Sequence, residues 1–169
     1  TPGKAPAPLK NQISMDEALN RLKTISVQGL QRVSLQRRYD TKFVCATVQL
    51  SELLANIGDD YALLCDEGRK IARYETQYFD TADLRCFHDH RRGRRSRYKV
   101  RIRSYPEKAT AFLEIKEKSN REETRKFRLE RPHTAPHVFT SDEAQLIMER
   151  TSLNPSELAP HLWTGFRRL

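Results

Sequence analysis

From position 95 to 105 the chain reads Arg-Ser-Arg-Tyr-Lys-Val-Arg-Ile-Arg-Ser-Tyr, so every odd position from Arg95 to Arg103 is a cation. Between them stand Tyr98, Val100 and Ile102. Successive side chains on a strand point to opposite faces, which makes this segment a strand with one cationic and one apolar face. Cations on the same face lie about 6.6 Å apart along such a strand. A row of that kind repels itself unless something anionic lies along it.

The design recurs. Glu114, Lys116 and Lys118 alternate with Leu113 and Ile115, and Lys126 and Arg128 alternate with Phe127 and Leu129. Upstream, Arg38, Asp40 and Lys42 share one parity while Tyr39 and Phe43 take the other. The period of two predicts strands over residues 36–45, 73–81, 95–105, 111–118 and 124–130, with a weaker one over 162–168. Helical spacing appears elsewhere. Met15, Ala18, Leu19, Leu22 and Ile25, behind Ser14 and Glu17 in capping-box positions, predict a helix over residues 15–26. Leu50, Leu53, Leu54 and Ile57 predict a second over 48–57, closed by Gly58. Ala144, Ile147 and Met148 predict a third over 142–151. The expected fold class is α+β, an antiparallel sheet flanked by helices. Residues 1–12, rich in Pro and Ala, read as a flexible leader, and 13–169 as one domain.

Lys and Arg number 31 against 22 Asp and Glu, a formal charge of +9 that favours polyanionic partners. No apolar run approaches the roughly 20 residues of a membrane helix, so a soluble chain is expected. Cys45, Cys65 and Cys86 have no C-x-x-C spacing, which predicts buried free thiols in a reducing, cytoplasmic compartment rather than a disulfide frame or zinc site. Thr1 in place of an initiator Met, and the stop at Leu169, point to a fragment or a processed chain.

The residues leave three readings of the cationic faces open: a solvated surface, a nucleic-acid platform or a phosphate-lined tunnel. Platforms for single-stranded nucleic acid interleave exposed aromatics with the charges. Here Tyr39, Phe43, Tyr98 and Phe127 take the apolar parity, with Tyr105 and Phe112 the exceptions. A partner made of phosphate without bases fits that pattern better. Arg supplies bidentate forks for phosphate and Lys compact point charges.

Arg38-Tyr39-Asp40-Thr41-Lys42-Phe43, Tyr78-Phe79-Asp80-Thr81, Tyr98 through Arg103 and Phe112 through Lys118, in that order, resemble the polyphosphate polymerase domain of the vacuolar transporter chaperone (VTC) family. That family belongs to the triphosphate tunnel metalloenzymes, relatives of the CYTH phosphatases. The resemblance implies a β-tunnel with inward cations, a divalent metal (Mn or Mg), and transfer of the ATP γ-phosphate to a growing polyphosphate chain. By position, Lys42, Arg101, Arg103 and Lys116 match the family's inward phosphate-binding cations and are the catalytic candidates. Arg38, Lys99, Lys118, Lys126 and Arg128 are further phosphate-binding candidates. The implied partners are ATP and inorganic polyphosphate or tripolyphosphate, with nucleic acid disfavoured, and the implied setting is the cytoplasm or the cytoplasmic face of a membrane, beside a membrane partner protein. The predicted strands fall short of the eight of a closed tunnel, so an incomplete tunnel is expected, with the family's later arginines and metal-binding glutamate beyond Leu169. Asp40-Thr41-Lys42 lacks the paired glutamates of the CYTH phosphatases, which favours a polymerase. The alternatives are a non-catalytic polyphosphate or nucleic-acid binding module, and a triphosphate hydrolase of the same superfamily.

Other residues carry competing readings. Glu114 is a candidate metal ligand or a partner for Lys116 or a cross-strand arginine. Asp80 is a turn cap or an inward carboxylate. His88-Asp89-His90 precedes the run Arg91-Arg92-Gly93-Arg94-Arg95, whose charge repels a metal, so a solvated loop is expected there. The basic run itself reads equally as a guide for polyphosphate or as an exposed loop.

Overall fold

The computed structural model describes residues 13–31, 41–58, 60–119, 124–133 and 138–169. The chain forms two compact units, residues 1–71 with Leu169 and residues 72–168. Among the described residues, no helix is long and apolar enough to cross a membrane.

The first unit contains α1 (Met15–Arg21), β1 (Lys23–Ser26), α2 (Val27–Gln31), α3 (Thr47–Asn56) and β2 (Ala62–Cys65). Ser14 caps α1 by accepting a hydrogen bond from the Glu17 N–H. Ala18, Leu19 and Leu22 bury against Leu54 of α3 and Leu63 of β2. The helix expected over 15–26 ends early. Leu22 turns to an extended backbone, and Lys23–Ser26 pairs in parallel with Ala62–Cys65. Thr24 and Ile25 are β-branched and lose little in a strand, and the ladder satisfies their backbone groups. In the strand expected over 36–45, residues 41–45 carry no strand pairing, and Phe43 and Val44 are exposed. Alternation supplies two faces, but a strand also needs a neighbour for its N–H and C=O groups. Residues 36–40, with Arg38, lie outside the described residues, as does the leader.

The second unit is a five-stranded antiparallel sheet in the order β6-β5-β4-β3-β7, built from β3 (Ala72–Asp80), β4 (Arg97–Tyr105), β5 (Thr110–Lys118), β6 (Thr124–Pro132) and β7 (Ala159–Arg168). It does not close on itself among the described residues, in keeping with an incomplete tunnel. One face is apolar: Phe79, Val100, Ile102, Ala111, Leu113 and Ile115 bury with Cys86 of α4 (Arg85–Arg91) and Ile147 of α5 (Ser141–Arg150). A capping box starts α5, in which Thr140 Oγ1 accepts from the Glu143 N–H and Glu143 Oε2 accepts from the Thr140 N–H. The same buried carboxylate takes the Arg131 guanidinium of β6 at 3.1 Å, tying helix to sheet.

Helix α4 holds His88-Asp89-His90, so the loop expected there is helical. Asp80 settles as a cap. Its Oδ1 accepts from the N–H groups of Thr81 and Cys86 and its Oδ2 from that of Phe87, which satisfies the donors at the start of α4. Burial, then the negative charge of Asp80, pushes the Cys86 thiol up to about 12. All three cysteines are free, but Cys45 is exposed and Cys65 intermediate, so only Cys86 matches the expectation of burial.

Candidate phosphate-binding face

The other face of the five-stranded sheet gathers the polar parity of each strand, and the register stacks these residues into rows that cross it. Lys99 faces Lys116, which faces Lys126. In the next row Tyr78 faces Arg101, Arg101 faces Glu114, and Glu114 faces Arg128. Arg103 follows, flanked by Thr76 on β3 and Phe112 on β5. The last row brings Tyr105 and Tyr74 beside Phe166 of β7. Thus Lys99, Arg101, Arg103, Lys116, Lys118, Lys126 and Arg128 share one face. Lys42 sits exposed in the first unit, outside any strand.

Glu114 holds the centre of this face. Its Oε2 accepts from Arg101 Nε at 2.8 Å and lies 2.6 Å from Arg101 Nη2, while Arg103 Nη1 stands 4.0 Å away. Arg128 Nε is 3.8 Å from its Oε1. Of the readings open for Glu114, the structure places it with cross-strand arginines. Arg101 also donates to the Tyr78 hydroxyl and Arg103 to Thr76 Oγ1. These contacts leave Arg101 buried, only 7% exposed.

Burial first, then the charges of Arg101 and Lys126, hold the Lys116 ammonium below the ordinary lysine range. Glu114, shared by three arginines, acts in the opposite direction on Lys116 and offsets the burial and the neighbouring cations only in part. A polyanion laid along the rows relieves that repulsion.

A protein-held divalent ion does not fit this face. A hard cation needs several oxygen ligands, and both Glu114 oxygens are already directed at guanidinium groups. No group of three or more Asp, Glu, His or Cys able to hold a metal exists among the described residues.

Aromatic rings were expected mainly on the apolar side, with Tyr105 and Phe112 as exceptions. The structure adds Tyr74, Tyr78 and Phe166 to the polar face. Parity alone could have shown this for Tyr74 and Tyr78 once β3 was paired to β4. Phe166 depended on the pairing of β7.

Residues 37–162, well over half of the chain, match the sequence model of the VTC domain. The chain belongs to the VTC domain family. No curated protein and no solved structure matches it. Membership relates this VTC domain to polyphosphate polymerases, and the match covers the cationic rows from Lys99 to Arg128 together with Lys42.

Proposed function

We propose that this VTC domain grips a linear polyphosphate along its cationic sheet face and takes part in transfer of the ATP γ-phosphate onto that chain. The observation that carries this reading is the crowding of Arg101, Arg103, Lys116, Lys126 and Arg128 on one face, brought together by the register of β4, β5 and β6. Phosphoryl transfer asks chiefly for positioning and for fixed positive charge around the equatorial oxygens. Arg101 is pre-positioned by Glu114 and Tyr78, and Arg103 by Thr76. The lysine row supplies point charges for successive phosphates of the chain. Divalent metal, Mg or Mn, enters this reading on the substrate, carried by the ATP phosphates.

A second reading is a binding module without catalysis, for which the same cationic rows suffice. Two assays separate the readings. The chain is titrated with tripolyphosphate and long-chain polyphosphate at several salt concentrations, and then incubated with γ-labelled ATP and magnesium or manganese. The polymerase reading expects label in long-chain polyphosphate. Binding without incorporation selects the module, and release of inorganic phosphate from tripolyphosphate selects a hydrolase. Tighter binding of mixed-sequence single-stranded DNA than of polyphosphate across the salt range overturns the phosphate reading altogether.

A further inference from the structure

The polar face is graded along the strands, from lysines at one end to aromatic rings at the other. Tyr105 follows Arg101 by four residues on β4, a span of about 14 Å at the rise of an antiparallel strand. There Tyr74 and Phe166 stack with centroids 5.2 Å apart and an interplanar angle of 18°. Tyr105 meets Tyr74 edge-on at 5.1 Å, and Phe112 lies 5.8 Å beyond Tyr105. Arg103 lies over the rings of Tyr74 and Phe166, and Arg128 over Phe112. Phe166 remains 43% exposed. Large rings at half exposure on the charged side of a sheet are out of place for a partner made only of phosphate, since they add apolar surface to a face meant for a hydrated polyanion.

We infer that this aromatic end, centred on Phe166 and Tyr74, is a stacking site for the purine base of the nucleotide substrate, which fixes the direction of ATP on the sheet. The base lies on the Phe166–Tyr74 pair, and the triphosphate runs past Arg103 toward Arg101, Arg128 and then the lysine row. Three features carry this. The exposed ring of Phe166 offers a π-face, and stacking on such a face is tolerant of which base is presented. Arg103 touches both the rings and the Glu114 cluster, so one residue bridges base end and phosphate end. Finally, the charge gradient is correct for a molecule with an uncharged planar head and an anionic tail. The acceptor polyphosphate would then approach from the lysine end, where it meets the terminal phosphate rather than the base.

This inference rests on the phosphate reading above, and the test keeps the two apart. ATP and tripolyphosphate, which shares the triphosphate but has no base, are titrated calorimetrically into the full chain and into Phe166→Leu, Phe166→Tyr and Tyr74→Leu, with thermal melts alongside. Phe166→Leu and Tyr74→Leu are expected to weaken ATP at least about five-fold, the low end of what one stacked base contributes, while tripolyphosphate affinity stays within about two-fold. Phe166→Tyr keeps a ring and should keep ATP affinity. Equal weakening of both ligands shows that the rings merely hold Arg103 in place, and no weakening of either shows that the base lies elsewhere; each result overturns the inference. If the wild-type chain binds ATP but not tripolyphosphate, the base site stands and the phosphate reading fails. If it binds neither, both fall.

Discussion

Arg101→Ala tests whether the cationic face is a set of independent solvated charges or a pre-organised cluster. The Arg101 side chain is 8% exposed and its partner Glu114 15%. Truncation removes the contacts at 2.8 Å and 2.6 Å to Glu114 Oε2 and the 3.2 Å hydrogen bond to Tyr78. Glu114 is left with Arg103 at 4.0 Å and Arg128 at 3.8 Å, ion-pair distances without hydrogen-bond geometry. Removing one partner of a buried pair costs about 3–5 kcal/mol. Relief of repulsion with Lys116 offsets part of this, since Arg101 is the largest charge acting against that lysine. A net loss of about 2–4 kcal/mol is therefore expected, most of it the cost of an under-compensated carboxylate. Urea denaturation with an unchanged m-value measures it. Arg101→Met combined with Glu114→Met, which removes both charges, should recover at least half of the loss. Lys126→Ala, at an exposed position, should stay within about 0.5 kcal/mol of wild type. If Arg101→Ala does the same, the Arg101–Glu114 pair contributes nothing to the fold, and the pre-organised site is wrong.

Further outcomes are expected elsewhere. Ile102, 4% exposed on the opposite face of the same strand, should cost about 2–5 kcal/mol as Ile102→Ala while the folded fraction keeps its tripolyphosphate affinity, read by melts paired with titration. Because the folded Lys116 pKa lies below its ordinary value, the unfolded chain binds more protons between the two, so its contribution to stability rises with pH through that window. Bound polyphosphate restores the charged form, so binding within the window should take up protons, and Lys116→Met should abolish that uptake in calorimetry run in buffers of different ionisation enthalpy. At pH 8 iodoacetamide should modify exposed Cys45 and spare Cys86, whose thiol is pushed up to about 12; labelling of Cys86 as fast as Cys45 refutes its burial.

Much of the sheet was legible because alternation is a local property of the backbone. The run from Arg97 to Tyr105 could bury Val100 and Ile102 in only one way, and that choice sent Arg101 and Arg103 to the other face whatever the neighbours were. The Ser14 cap of α1 was equally local, made by a side chain three residues from the N–H it serves. Local pattern failed where a distant partner outweighed it. Lys23–Ser26 continues the helical spacing of α1, yet becomes a strand because Ala62–Cys65 offers it a ladder. The stretch 41–45 alternates well and has no strand neighbour.

The composition and parity of these residues thus dictated that a cationic face would exist, since burying the apolar parity leaves no other arrangement. Which cations meet, and what stands among them, depended on register, which joins residues far apart in the chain. Arg101 and Glu114 are separated by 13 positions and Tyr74 and Phe166 by far more, and no local rule couples such pairs. Pairing β4 with β5 turned Glu114 from a candidate metal ligand into the anchor of an arginine cluster, and pairing β3 with β7 set a stacked aromatic pair at the end of the cationic rows. Alternation is fixed by the chirality and pleat of a single strand, whereas the neighbours across a sheet are chosen by the global packing of its apolar face.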